Sequence, residues 1–228
     1  MKKTVFFLSV FFSLFHVLAS ADVVVGKIAD KLDVTPNGQF HYEIPISVAP
    51  GTGGMSPHLS IVYDSSNGTG LFGRGFDLSG ISIISRAPRN LYRDGKADVI
   101  RFDACDRFML DGVRLTLVNT TVTCREYRTE NNCFSKIIAE GDVANPSKFT
   151  VRTKDGLVRE YTNAKGMSGT SGNNLFWVET KVADTKGNYY KIIYGTDSGH
   201  NEFWPVRIDY TGNSGAGLSP YASVRFDY

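Results

Sequence analysis

Arg107-Phe108-Met109-Leu110-Asp111-Gly112-Val113-Arg114-Leu115-Thr116-Leu117-Val118 reads as two runs of strand-forming residues about a two-residue turn. Asp-Gly is the pair that best tolerates the left-handed backbone of a tight hairpin. The same grammar recurs on both sides of it. Asp155-Gly156 separates Phe149–Thr153 from Leu157–Tyr161, and Lys186-Gly187-Asn188 separates Phe176–Val182 from Tyr189–Tyr194. Further strand signals cover Phe40–Val48, Leu59–Tyr63, Ile81–Ile84, Val99–Phe102, Phe134–Ala139, Val206–Tyr210 and Ala222–Tyr228, each bounded by Gly, Asn, Asp or Pro. Phe40–Val48 alternates around Tyr42, Ile44 and Ile46, as a half-buried strand does. No long amphipathic helix competes with them. The expected fold is all-β: antiparallel hairpins in a meander, with an exposed Gly/Ser/Asn-rich loop at Met167–Asn174.

Composition agrees. Fifteen Phe and eleven Tyr, with many Val, Ile and Thr, favour strands, and 23 Gly suit many tight turns. The first residues stand apart. Met1-Lys2-Lys3 is basic, Thr4–Leu18 is apolar, and Ala19-Ser20-Ala21 offers small residues to signal peptidase. This predicts a signal peptide over residues 1–21, cut between Ala21 and Asp22, and a β domain over residues 22–228. The apolar run is shorter than the ~20 residues of a spanning helix, so an anchor is the weaker reading and stable membrane insertion is not expected. Cleavage removes two lysines and no acidic residue, so the formal charge of +2 falls to zero. A neutral chain with interspersed charges gives no electrostatic ground for binding nucleic acid.

Three cysteines are carried into an oxidising compartment. Cys124 and Cys133 flank the polar segment Arg125–Asn132, and a bridge between them would close a hairpin-like loop. Cys105 is then free, or pairs with either of the other two. No CxxC spacing points to zinc.

Two stretches carry a resemblance. The first is Tyr42-Glu43-Ile44-Pro45-Ile46, followed by Pro50-Gly51-Thr52-Gly53-Gly54-Met55-Ser56-Pro57-His58-Leu59-Ser60-Ile61-Val62-Tyr63 and Gly68-Thr69-Gly70-Leu71-Phe72-Gly73-Arg74-Gly75-Phe76-Asp77-Leu78-Ser79-Gly80-Ile81-Ser82. The second is Asp106-Arg107-Phe108-Met109-Leu110-Asp111-Gly112-Val113-Arg114-Leu115. In this order they resemble the N-terminal module of the Salmonella virulence plasmid B protein (SpvB) family, with its Y-x-IPI, PGTGG, LSG and DRF-x-LDG-x-RL signatures. Phe76 stands where that family usually has Trp, and a buried role is expected to survive the exchange. Glu126–Glu130 with Phe134–Ile137, Asp184–Asn188 and Ile208–Asn213 resemble later family segments.

The resemblance implies a secreted, virulence-related toxin module like the one that opens Tc toxin B components and RHS/YD-repeat proteins. There such strands begin a hollow β-shell around a separate effector, in some members an ADP-ribosyltransferase. It implies a structural role without cofactors, with the rest of a shell as partner and the host cytoplasm as a destination of related members. Neither the ExE pair of the transferase nor a YD-repeat array occurs within these 228 residues. The last predicted strand reaches Tyr228, so an incomplete sheet is expected, with Val224, Phe226 and Tyr228 on an open edge able to self-associate.

Other constellations are weaker. Gly68-x-Gly70-x-x-Gly73 matches a dinucleotide fingerprint in letters only, because a strand pattern and no helix follows. Asp94-Gly95-Lys96-Ala97-Asp98 offers too few oxygens for calcium. His41, His58 and His200 lie in separate segments, and no serine sits in a GxSxG elbow. Two rivals to the shell reading remain. One is a cell-surface or glycan-binding module that uses Trp177, Trp204 and tyrosines as a platform; the other is a secreted hydrolase.

Overall fold

Asp111 and Gly112 take φ of 49° and 78°, the positive pair that a two-residue hairpin loop needs to match strand twist. The hairpin they close belongs to an all-β, antiparallel protein. The computed structural model describes residues 30–131, 133–163, 172–197, 199–200 and 202–228. The expected leader, its Ala21–Asp22 cleavage point and residues 167–171 of the expected loop lie outside these.

The early part of the chain supplies β1 (Lys31–Val34), β2 (Phe40–Ile46), β3 (Leu59–Asp64), a minimal pair β4 (Thr69–Gly70) and β5 (Gly73–Arg74), and β6 (Phe76–Ser79). β1, β2, β3 and β6 form a four-stranded sheet in that order. Then come β7 (Ile83–Ala87), the single helical turn α1 (Leu91–Asp94), β8 (Arg107–Leu110), β9 (Val113–Thr120), β10 (Cys124–Thr129), β11 (Lys136–Gly141), β12 (Pro146–Arg152), β13 (Val158–Asn163) and β14 (Phe176–Ala183). Each of these strands pairs with the next. β14 also pairs with β7, through Phe176↔Ser85, Trp177↔Ile84 and Val178↔Ile83. Eight meander strands therefore close into a barrel, which removes their edges.

β14 does not end at the barrel. Its second half pairs with β15 (Asn188–Asp197) through Lys181↔Lys191, Val182↔Tyr190 and Ala183↔Tyr189. β16 (Glu202–Asn213) and β17 (Ala222–Arg225) extend the sheet outward. The face of this extension carries Val182, Tyr190, Ile192, Ile208 and Tyr210, and buries them against Leu59 of the four-stranded sheet and Met55 of the connection leading into it. This second core fixes the two sheets together.

The barrel interior is filled from every strand: Ile84, Phe108, Leu115, Tyr127, Ile137, Phe149, Tyr161 and Trp177 lead, with Ala139 and Val151 between them. Phe108, Phe149 and Trp177 meet edge to face, with centroids 5.1–5.3 Å apart. That geometry sets the positive rim of one ring against the negative face of another. Trp177 Nε1 donates to Pro146 O at 2.7 Å, so the indole is buried with its polar atom satisfied.

One end of the barrel is shut by a buried cation. Arg86 points inward from β7 and is fully enclosed. Its NH1 donates to Asp106 Oδ2 at 3.2 Å and to Asp103 O at 3.3 Å. Nε donates to Asn174 O at 2.9 Å, and NH2 to Ala144 O at 2.6 Å. The guanidinium carbon lies 5.5–5.6 Å from the ring centroids of Phe102, Phe108 and Trp177. Burial pulls the Arg86 pKa down, and Asp106 resists it.

Three expectations are corrected. Val99–Phe102 is not a strand: the chain there turns, and Asp106 accepts from the Arg101 and Phe102 N–H groups at 3.0 and 2.7 Å. Arg125–Thr129, read as a polar loop, lies in strand β10, with Arg125, Tyr127 and Thr129 alternating inward. The Cys124–Cys133 bridge is not formed, and all three cysteines are free. Cys124 opens β10, whereas Cys133 lies past its far end and donates from N to Thr129 Oγ1. An extended strand of that length separates them by roughly 16 Å. A disulfide requires Cα atoms within about 7 Å.

Removing one partner of an enclosed ion pair strands the other charge, at a cost of about 3–5 kcal/mol. Asp106→Ala is expected to lose that much stability in urea denaturation. Glu160→Ala, which breaks the surface pair with Lys148, should lose less than about 1 kcal/mol. Equal losses for the two variants would contradict the role given to Arg86.

Candidate functional site at the junction of barrel and sheet

Three segments far apart in sequence meet where the four-stranded sheet rests on the extension. The Pro50–Gly54 loop turns sharply between β2 and β3, and Thr52 Oγ1 donates to Thr211 O at 3.2 Å. Gly53 has φ +62°, and a Cβ there would lie 2.8 Å from Asn188 Nδ2. Beneath it the β14–β15 turn is knotted by Asp184, whose carboxylate accepts from Lys186 N, Asn188 N and Asn188 Nδ2 at 2.8–2.9 Å. Asn213 Nδ2 donates to Asn188 Oδ1 at 2.7 Å and so ties in the end of β16. Asp184 is held below the usual carboxylate range: burial pushes it up, but the hydrogen bonds from Asn188 and Lys186 outweigh that.

Leu78-Ser79-Gly80 makes the second contact. Gly80 has φ +103°, and a Cβ there would sit 1.9 Å from His58 O. Only glycine lets the chain leave β6 this close to the start of β3 and enter β7. Two residues on, Ser82 begins a buried polar cluster. Its Oγ donates to Asp111 Oδ2 at 2.6 Å and accepts from Tyr161 OH at 2.8 Å. Asp111 Oδ1 accepts from Ile83 N at 2.8 Å.

Glu179 is the centre of this cluster and is completely buried. It touches all three neighbours of β14. Ser82 N, leading into β7, donates to Oε2 at 3.4 Å. Arg159 NH1 of β13 donates to Oε1 at 3.1 Å. Tyr194 OH of β15 donates to the Glu179 carbonyl at 2.9 Å. Burial pushes the carboxyl up to about 7, with Arg159 and the Ser82 N–H opposing and Asp111 adding to the rise. Burial, aided by the same carboxylate, also raises the hydroxyls of Tyr161, Tyr190 and Tyr194 above their ordinary range.

This arrangement can take up one proton near neutrality. It does not present an activated nucleophile in the usual form. His58 lines the same cleft of about 510 Å³ as Ser82 and Asp111. Among the described residues, however, the Ser82 oxygen is engaged by Asp111 and Tyr161 and not by an imidazole. His41 of β2 lies 3.9 Å from Asp64 of β3, and His200, between β15 and β16, binds Asp197 at 2.7 Å.

The other sequence-singled residues find local roles. Gly70 and Gly73 pair in the β4–β5 turn, with Gly75 just after it. Phe76 packs on Tyr63 at 4.8 Å between ring centroids. It remains 37% exposed, so the buried role expected for it is corrected: it lies on the edge strand of the small sheet. Pro45 pairs with Ser60, and Pro57 is buried just before β3. Arg107 reaches Asp94 at 2.9 Å, Phe108 is core, and Leu110 packs against it. Asp94 and Asp98 are engaged by arginines, Asp98 by Arg89 at 2.6 Å. Trp177 is inside the barrel and cannot share a platform with Trp204. Sequence reasoning missed Glu179 and Arg159. Both sit in ordinary strand patterns, and only the fold shows that Glu179 faces inward.

The family model described as Salmonella virulence plasmid 65kDa B protein matches residues 34–202. Among curated proteins, none matches the sequence. Solved structures share the fold. TcdB2-TccC3 is 18% identical with a TM-score of 0.68, over 88% of this chain and 12% of that one. TcdB2-TccC3-TEV is 18% identical with a TM-score of 0.70, over 92% and 12%. The N-terminal domain of effector protein SpvB from Salmonella typhimurium strain LT2 is 17% identical with a TM-score of 0.56, over 77% and 65%. The chain thus spans about an eighth of the TcdB2-TccC3 chain and just under two thirds of the SpvB domain.

Glu179 makes a specific pH signature. Its folded pKa of about 7 lies above the unfolded value of 4.5, so the folded state holds the extra proton between those values. Stability from this group is fully present below about pH 4.5 and is lost as pH rises through about 7. The melting temperature of the wild type should fall between pH 5 and 8, and that of Glu179→Gln should stay flatter. Parallel curves for the two proteins would rule out titration of this carboxyl.

Proposed function

The chain belongs to the Salmonella virulence plasmid 65kDa B protein family, and from that membership we propose that it is a secreted, non-catalytic wall module of a toxin shell. Its task in this reading is containment: it forms the opening wall around an effector carried by a larger assembly, and the remaining shell strands are its partners. The observation that carries the proposal is the combination of a closed barrel with a sheet that leaves it. β14 closes the barrel with one half and launches β15, β16 and β17 with the other. A free-standing barrel has no use for such an extension. A wall built of continuous sheet does.

Among the described residues β17 is the outermost strand of the extension, and its outer edge suits strand addition. Phe226 N donates to Val206 O at 3.0 Å, so Ala222, Val224 and Phe226 turn their peptide groups toward β16. Ser223 and Arg225 turn theirs outward. Export would proceed through the leader over residues 1–21, cut before Asp22. Among the described residues, no helix is long and apolar enough to cross a membrane. The family motifs act in this reading as structural knots that hold the small sheet on the extension.

Two measurements test it. Material recovered from the medium should begin at Asp22; mature protein retaining Met1 would remove the export step. Residues 22–228 should associate with rising concentration in sedimentation, and Ser223→Pro, which deletes an outward N–H from an edge strand, should restore the monomer. A wild type that stays monomeric throughout would favour the autonomous binding module instead.

A further inference from the structure

β8 and β9 pair only through Met109↔Arg114 and Leu110↔Val113, after which β9 continues against β10 alone. At this split in the barrel wall lies a cavity of about 600 Å³, within the range of small-molecule sites. Four arginines line it: Arg93, Arg107, Arg114 and Arg125. The carboxylates beside them are already committed. Asp94 serves Arg107 at 2.9 Å and Arg114 at 2.5 Å, Glu130 bridges to Arg93, and Asp106 faces Arg86.

Arg125 is left over. It is 6% exposed, and among the described residues no carboxylate pairs with it. Its NH2 donates to Gly141 O at 3.1 Å. Among the described residues its NH1 has no hydrogen-bond partner, and neither has NH1 of Arg114, which is 8% exposed. Both residues line the same cavity. Tyr127 is part of the same lining; burial raises its hydroxyl pKa, and the charge of Arg125 and a hydrogen bond with it pull it back. Buried guanidinium donors without acceptors are costly, and native structures normally satisfy them with a water or an ion.

We propose that this cavity binds a small free oxyanion, a carboxylate- or phosphate-bearing molecule, with the unpartnered NH1 of Arg125 as its principal donor. The charge balance favours an anion: Asp94 is shared by Arg107 and Arg114, and among the described residues Arg125 has no carboxylate at all. The chemistry favours an oxyanion, because a forked guanidinium matches carboxylate or phosphate oxygens better than a halide. Exposed Tyr92 at the rim offers a flat apolar surface for the rest of such a molecule. The site shares no lining residue with the clefts at the junction and stands independently of the shell reading.

The probes are inorganic phosphate and acetate, titrated into the purified chain against sodium chloride of equal ionic strength. Calorimetry should show one saturable site, and the melting temperature should rise with the same midpoint. Tighter binding of phosphate assigns a phosphoryl ligand; tighter binding of acetate assigns a carboxylate. Arg125→Gln should weaken the midpoint at least tenfold. Arg125→Lys, which keeps the charge and the fold but loses the fork, should weaken it less, and Lys148→Gln on the surface should leave it unchanged. Heats with both probes that match chloride, or an unaltered midpoint in both Arg125 variants, would overturn the proposal.

Discussion

Barrel closure rests on Arg86. The meander brings β7 and β14 together over only three residue pairs, a short seam for an eight-stranded cylinder. Arg86 extends it in two ways. Its backbone N–H donates to Leu175 O at 2.9 Å, and its Nε reaches Asn174 O. The same side chain binds Ala144 from the β11–β12 connection, and Asp103 and Asp106 from the segment ahead of β8. One guanidinium thus ties three loops to the seam. A buried cation is tolerable only because each of its nitrogens is hydrogen-bonded and its faces lie near three aromatic rings.

The opposite end is polar too. Along β7 and the residue before it, Ser82, Ile84 and Arg86 face inward in alternation, and along β14 Trp177 and Glu179 do the same. The interior is therefore layered: an aromatic and aliphatic middle, a guanidinium plug at one end and a carboxylate–serine–tyrosine cluster at the other. Such plugs are expensive in free energy relative to apolar packing. What they supply is register. A slip of one residue in β7 would turn Ser82, Ile84 and Arg86 outward together, leaving Asp106, Asp111 and Tyr161 without their partners.

Much of this was legible in the sequence, and the unread parts have physical reasons. The Asp-Gly and Gly-Asn turns marked three hairpins, β8–β9, β12–β13 and β14–β15, because positive φ restricts the residues that can occupy them. Arg107–Leu110 was read to the residue, and most other strands within a few. β10 was misread because its inward face is Arg125, Tyr127 and Thr129, which looks like an exposed loop unless one knows the barrel mouth accepts cations. Val99–Phe102 has strand-like residues, yet Asp106 captures its N–H groups and bends it. Closure was not legible at all. Nothing in the residues of β7 and β14 announces that strands about ninety positions apart are neighbours. The junction motifs were visible as letters, but that Gly53 rests on Asn188 follows only from the fold.

The branch point explains how one strand serves two structures. Between β13 and β14 the register shifts: Tyr161 faces Glu179, while Glu160 faces Lys181, leaving Thr180 as the extra residue. A bulge of this kind bends its strand and increases its twist. Residues before it, Phe176–Val178, pair with β7; residues after it, Lys181–Ala183, pair with β15. The bulge is therefore where β14 leaves the cylinder, and Thr180 Oγ1 secures it by donating to Glu160 O at 3.2 Å. Glu179 sits immediately before it, in contact with all three neighbouring strands. A gap opens wherever a sheet divides, and an apolar side chain would leave Ser82 N and Arg159 facing that gap without an acceptor. The carboxylate fills it and takes both hydrogen bonds, so a buried carboxyl with a raised pKa lies where the sheet divides because the division itself creates the need for an acceptor.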